Sequence, residues 1–223
     1  LVQIAGVRDE AEARMLTSEG ADWLGFPLRL ACHPPDTTEA EARGIIQAAG
    51  LADRAVLITY LHDPAEIGAL CDYLGVRRVQ LHGNIAAAPL RALKRSRPDL
   101  YLIKSLIVAD GNLEQLLSAL AGFGPAVDAF ITDTFDPRTG ACGATGRTHD
   151  WSISAALAAR SERPLILAGG LTPENVTQAI RTVRPAGVDA HTGVEGPDGR
   201  KDPARVRAFV AAARTAFRTA HAE

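Results

Sequence analysis

Leu165-Ile166-Leu167-Ala168-Gly169-Gly170 and Gly187-Val188-Asp189-Ala190-His191-Thr192-Gly193 decide how this chain is read. Each is a short apolar run that stops at glycine, and a strand ending in that way presents bare backbone N–H groups at its tip. The first continues into Leu171-Thr172-Pro173-Glu174-Asn175-Val176. Thr172 is expected to cap a helix there, with Pro173 in its first turn, a position whose N–H would lack a partner anyway. The second continues into Val194-Glu195-Gly196, which fits a short extra helical turn. As the last two strand ends of a repeating pattern, Gly169, Gly170, Thr192 and Gly193 are the expected cradle for a phosphate at the mouth of an eight-stranded α/β barrel.

Outward from these ends, short β-branched runs alternate with amphipathic helical stretches, the mark of repeated βα units and a parallel sheet. The strands are expected at Val2–Ile4, Trp23–Phe26, Ala55–Tyr60, Val79–Leu81, Tyr101–Ser105, Ala129–Thr132, Leu165–Ala168 and Val188–Ala190. Between them, Asp63 and Pro64 cap and open one helix and Asn112 precedes another. A last helix over Pro203–Phe217 places Val206, Phe209, Val210 and Ala213 on one stripe. With 223 residues the chain has the length of one such barrel. The expected fold class is therefore α/β, a single (β/α)8 TIM barrel domain over residues 1–223. Its long connections, Pro27–Thr38 and Thr134–His149, follow strands and so belong to the mouth.

Composition narrows the partners. Hydrophobic residues make up 47% and charged residues 22%, with a formal net charge of -2, which gives no general attraction to nucleic acid or anionic lipid. No apolar run approaches the length of a membrane span. Three cysteines, an odd number without repeated spacing, argue against a disulfide scaffold and fit a reducing cytoplasm. Of these, Cys71 reads as packed helix core and Cys142 as loop surface. His33, His62, His82 and His191 lack the spacing of a zinc site, so neither a metal nor another cofactor is expected.

The order of Gln3-Ile4-Ala5-Gly6, Gly20-Ala21-Asp22-Trp23-Leu24-Gly25-Phe26, Val79-Gln80-Leu81-His82-Gly83, Asp128-Ala129-Phe130-Ile131-Thr132-Asp133-Thr134, Gly143-Ala144-Thr145-Gly146-Arg147-Thr148-His149-Asp150-Trp151 and the two glycine ends spans nearly the whole chain. It resembles phosphoribosylanthranilate isomerase, the Amadori-rearranging barrel of tryptophan synthesis. The resemblance implies a phosphorylated small-molecule substrate and a monomer or homodimer. It also implies a reaction in which an acid protonates the ribose ring oxygen, an iminium forms, and a base removes the C2′ proton. Asp133 matches the family's acid. The family's base is the cysteine of a Lys-Ile-Cys-Gly motif, which here reads Gln3-Ile4-Ala5-Gly6, and alanine accepts no proton. Such a loss removes about 3 to 5 kcal/mol of transition-state stabilisation unless another group takes over. The family's Ser-Pro-Arg in the loop after the second strand, whose arginine would hold the anthranilate carboxylate, is replaced by Cys32-His33-Pro34.

Base and carboxylate clamp are thus absent together, while the acid and the phosphate turns remain. Cys32, His33 and His191 are the candidate replacement acceptors. His82 either reaches the same mouth or is a strand-end histidine bonded to backbone. Asp189 binds substrate hydroxyls or braces its strand, and Gln3, at the head of the altered motif, is placed against substrate. Lys104, expected at the end of the fifth strand, invites a Schiff-base reading that the resemblance does not require. The pattern favours an isomerase-type enzyme with altered substrate or base. Two other readings stand beside it: the family's own reaction with a relocated base, and a catalytically silent phosphosugar-binding protein.

Overall fold

Eight runs rich in Val, Ile, Leu and Ala close a parallel barrel in the computed structural model, which describes residues 1–30, 35–136, 141–142 and 148–220. Its strands are β1 (Val2–Ala5), β2 (Trp23–Pro27), β3 (Ala55–Thr59), β4 (Arg78–Leu81), β5 (Tyr101–Val108), β6 (Ala129–Asp136), β8 (Leu165–Leu167) and β9 (Gly187–Ala190). A two-residue strand β7 (Ala141–Cys142) pairs antiparallel with the end of β6. Neighbours follow the order β5-β4-β3-β2-β1-β9-β8-β6, and a further β5–β6 pairing closes the ring.

Side chains alternate across each strand. One set fills the barrel, including Val56, Ile58, Ile103, Ile131, Ile166 and Ala168. The other, including Phe26, Phe130, Leu57 and Leu102, packs outward against helices that contribute Leu16, Ile67 and Phe209.

Local sequence accounts for the helices that carry the chain back. The first, α1 (Glu10–Ser18), is capped by Asp9, whose carboxylate accepts from the Glu12 amide. Thr38 and Glu41 form a reciprocal capping box on α2 (Glu39–Ala48), which satisfies two otherwise orphan N–H groups. Asp63 caps α3 (Pro64–Leu74) with proline first in the helix, as the sequence predicts, and Gly75 in the left-handed region stops it. The remaining helices are α4 (Ala87–Ser96), α5 (Leu113–Phe123), α6 (Trp151–Arg160), α7 (Val176–Val183) and α8 (Pro203–Ala220). Val206, Phe209, Val210 and Ala213 face the core from α8. Among the described residues no helix is long and apolar enough to cross a membrane.

Two departures from the sequence reading bear on the site. Strands β5 and β6 run three and four residues beyond their expected ends, because their ladder continues through Ile107↔Asp133 and Val108↔Thr134. Asp133 therefore belongs to a paired strand and not to a loop. Thr172 does not cap α7, which begins four residues later at Val176. Asn175 organises the intervening turn instead: its Oδ1 accepts from Thr172 N at 2.9 Å and its Nδ2 donates to Gly170 O at 2.9 Å.

Candidate active site

The C-terminal ends of the strands surround a pocket of about 650 Å³, open mouth included. Ala5 reaches it from β1, Tyr60 and His82 from beyond β3 and β4, and Asp133 from β6. Gly169, Gly170 and residues Asp189 to Gly193 complete the opposite side, and Pro27, Leu30, Ile58 and Leu171 supply an apolar wall.

Glycine is required on the side formed by the two turns. Gly169 and Gly170 have φ of 99° and 61°, a region costly to residues with a Cβ. A Cβ on Gly169 would stand 2.2 Å from Thr134 Oγ1, and one on Gly193 would lie 1.8 Å from the carbonyl oxygen of Leu171. The two turns are therefore packed backbone to backbone. Thr192–Val194 forms the expected short turn, of 3-10 type, and Arg205 donates to Gly193 O at 3.0 Å from outside. That side of the pocket is thus main chain from two loops rather than the tip of α7.

Two carboxyls also line the pocket. Asp133 is pushed up to about 7 by burial, against one stabilising bond from the Thr134 amide at 2.7 Å. Asp189 is likewise pushed up to about 7, by burial first and then by the charge of Asp133, with the Gln3 amide and the Lys201 ammonium acting the other way. A carboxyl that titrates near neutrality has both protonation states available at working pH, the property general acid and base groups need.

The other anticipated residues divide between pocket and scaffold. His82 lines the pocket with its ring edge-on to Tyr60 at 4.9 Å and its Nδ1 3.0 Å from Ser105 Oγ. His191 lines it too, its ring against Gly6 and its Nε2 3.6 Å from Glu195 Oε1 and 3.8 Å from Asp36 Oδ2. Thr192 is present on the wall.

Gln3, expected against substrate, is fully buried below the pocket, its Nε2 donating to Gln80 Oε1 at 3.1 Å across the barrel interior. His62 is exposed and off the pocket wall. Lys104 points to the outer layer, because it alternates with the inward Ile103. Its Nζ donates to the carbonyls of Leu81, Gly83 and Ser105 at 3.0–3.2 Å, which removes it from any Schiff-base role in the pocket. Cys71 is packed core, its thiol pushed up to about 12 by burial. Cys32 and His33 lie outside the described residues. No group of three or more His, Cys, Asp or Glu converges on a metal position among the described residues.

Sequence reasoning gave no role to His149, which supports the site from behind. Its Nδ1 lies 3.1 Å from Thr134 Oγ1 and its Nε2 2.6 Å from Ser154 Oγ. It therefore ties the residue after Asp133 to α6, beneath Gly169. Its sequence signals are its place in the Gly143–Trp151 stretch of the family resemblance and its position one residue before Asp150, the cap of α6.

Burial lowers the His149 imidazole from 6.5 to about 4. Between those values the folded state binds fewer protons than the unfolded chain, so the stability this residue contributes falls as pH drops through that window. His149→Gln should lose less stability than the parent between pH 6.5 and 4.5, measured as the change in Tm. An unchanged slope would exclude a buried neutral imidazole.

Residues 3–212 match the family model described as N-(5'phosphoribosyl)anthranilate (PRA) isomerase. N-(5'-phosphoribosyl)anthranilate isomerase 2 of Methanosarcina mazei is 36% identical over 217 residues, covering 97% of this chain and 95% of its own. The N-(5'-phosphoribosyl)anthranilate isomerase of Haloferax volcanii is 38% identical over 216 residues, covering 96% and 93%. Among solved structures, a phosphoribosyl anthranilate isomerase in complex with reduced 1-(o-carboxyphenylamino)-1-deoxyribulose 5-phosphate superimposes with a TM-score of 0.76. It is 27% identical, covering 96% of this chain and 98% of that one. With a closed barrel whose pocket is lined by glycine turns and carboxyls, and with a family model and relatives matched along nearly its full length, the chain belongs to the phosphoribosylanthranilate isomerase family.

Proposed function

We propose that the chain converts N-(5′-phosphoribosyl)anthranilate into 1-(o-carboxyphenylamino)-1-deoxyribulose 5-phosphate, a step of tryptophan biosynthesis, with Asp133 as general acid and a base other than residue 5. One observation carries the reading: Asp133 and the turns at Gly169–Gly170 and Thr192–Gly193 line a single pocket. A phosphate held by the turns sets the ribose across the cavity, where its ring oxygen meets Asp133. Near pH 7 a substantial fraction of Asp133 carries the proton this step needs, because burial disfavours its charged form. Protonation opens the furanose, and the anthranilate nitrogen stabilises C1′ as an iminium. Loss of the C2′ proton then gives the enolamine, which tautomerises to the ketone. The apolar wall of Pro27, Leu30 and Leu171 suits the aromatic ring of the substrate.

The altered substrate anticipated from Ala5 and the Cys32-His33-Pro34 loop gives way to the family's own reaction. The match runs through residues 3–212, and Asp133 and the glycine turns, to which this reading gives the acid and phosphate roles, line the pocket. Ala5 on the pocket wall keeps the relocated base as part of the reading.

Purified protein supplied with phosphoribosylanthranilate should turn over in the ordinary enzyme range, about 1–10³ s⁻¹, followed by loss of anthranilate fluorescence. Stabilisation by inorganic phosphate without turnover would reduce the protein to a phosphosugar binder.

A further inference from the structure

We infer that Asp189 is the proton acceptor that replaces the missing side chain at residue 5, working as a carboxyl pair with Asp133. The inference rests on the proposed isomerisation and deepens it. Asp189 on β9 is the register partner of Gln3 on β1, and Ala5 lies two residues further along β1 on the same face. Asp189 therefore stands one strand across from the family's base position and one layer below it. Both residues line the pocket.

Asp189 is buried, and its Oδ1 has no hydrogen-bond partner among the described residues. An ionised oxygen in that state is poorly solvated and correspondingly basic. The groups that act on it are Asp133 on β6, Gln3 on β1 and Lys201 beyond β9. Lys201 Nζ is engaged elsewhere, donating to Glu195 Oε1 at 2.6 Å and to His191 O at 3.2 Å. Of the two histidines on the pocket wall, His191 has its Nε2 beside two carboxylates and its ring braced on Gly6, and His82 has its Nδ1 3.0 Å from Ser105 Oγ.

The proton balance closes on the pair. Burial makes each carboxyl hold a proton up to about pH 7, and the charge of Asp133 makes ionising Asp189 harder still. Around neutrality the pair holds one proton, as coupled carboxyls do. That proton rests preferentially on Asp189, whose ionisation the charge of Asp133 opposes; the reactive form is the one in which it has moved to Asp133, which gives it to the ring oxygen as the C1′–O4′ bond breaks. Asp189 takes the C2′ proton, while the C–H electron pair becomes the C1′–C2′ double bond and the iminium electrons return to nitrogen. Tautomerisation then adds a proton at C1′ and removes one from the 2′-hydroxyl, so proton exchange between the carboxyls restores the starting state.

Asp189→Asn keeps the shape and removes the basic oxygen. It should lower kcat about 10²–10⁴-fold with KM changed only a few-fold. It should also abolish the ascending, low-pH limb of the pH–rate profile while the descending limb set by Asp133 remains. A variant that keeps kcat, loses only KM, or retains both limbs would overturn the inference and leave Asp189 as a hydroxyl ligand or strand brace. Failure of the isomerase reading shows separately, as an inactive parent protein. In that event carboxyl 13C NMR still decides whether the pair exists: Asp189 should titrate near neutrality in the parent and lower in Asp133→Asn. Ordinary carboxylate titration in both proteins would sink the pair.

Discussion

Asp133→Asn is expected to lower kcat on phosphoribosylanthranilate by about 10²–10⁴-fold, because the amide has the same outline but no proton to give. KM should change little, since the turns proposed to hold the phosphate are built from other strands. The same substitution has a second signature of opposite sign. Asp133 is raised from 3.8 to about 7, so the folded state holds more protons than the unfolded chain between those values. Its stabilising contribution is therefore complete below about pH 4 and is lost as pH rises through 7. The asparagine variant lacks this slope, and its Tm relative to the parent should be most favourable at pH 8. A slow variant that is no less stable at pH 8 is the expected outcome. One that is slow and unstable at every pH would show damaged packing around β6 and not the loss of an acid.

How far the sequence could be read depended on whether a feature was local. Asp63-Pro64 and the alternating strand runs carry their structural meaning within a few residues, and the structure has the cap and all eight strands where that meaning puts them. The ends of β5 and β6 were not legible. They are set by a ladder between segments some 25 residues apart, including Ile107↔Asp133, and no local pattern in either segment records its partner. Thr172-Pro173 shows the same limit from the other side. As a local cap it is plausible, but Asn175 ties its own side chain back to Gly170 and Thr172, and helix α7 starts only after that turn.

The candidate site follows the same rule. Glycine at two strand ends and aspartate in β6 were visible because barrel geometry gives those positions a common destination. Gln3 was placed one layer too high, and the side that Lys104 faces was left open. Gln3 faces inward but one layer too deep, reaching Gln80, while Lys104 faces outward between strand and helix. The contacts of His149 had no signature because its partners, Thr134 and Ser154, lie 15 residues before it and 5 after it, on different elements. The coupling of Asp133 with Asp189 is the clearest case. The two are 56 positions apart in sequence, and the strand order β9-β8-β6, with one strand between them, brings one charge within reach of the other.

Gly193→Ala should weaken phosphate binding and stability together, and by more than any change to a side chain on the pocket wall. The added Cβ would meet the Leu171 carbonyl oxygen at 1.8 Å, where ordinary contact begins near 3.4 Å. Main chain cannot rotate out of the way as a side chain does, so the two turns must part by about 1.6 Å, the difference between those distances. A displacement of about 1 Å at a positioning group is enough to cost on the order of 10²-fold in rate. Arg205 resists the movement from outside through its bonds to Gly193 O at 3.0 and 3.3 Å, so the strain is shared with α8 and Tm falls. Gly122→Ala is the matched control: that glycine is exposed within α5 and an added Cβ there meets nothing within 4 Å. Alanine in a helix interior is favoured over glycine by about 1 kcal/mol, so the control should be at least as stable as the parent and unchanged in activity. If Gly193→Ala matched it in Tm and in the dissociation constant for inorganic phosphate, the packed turns would have no part in holding the anion.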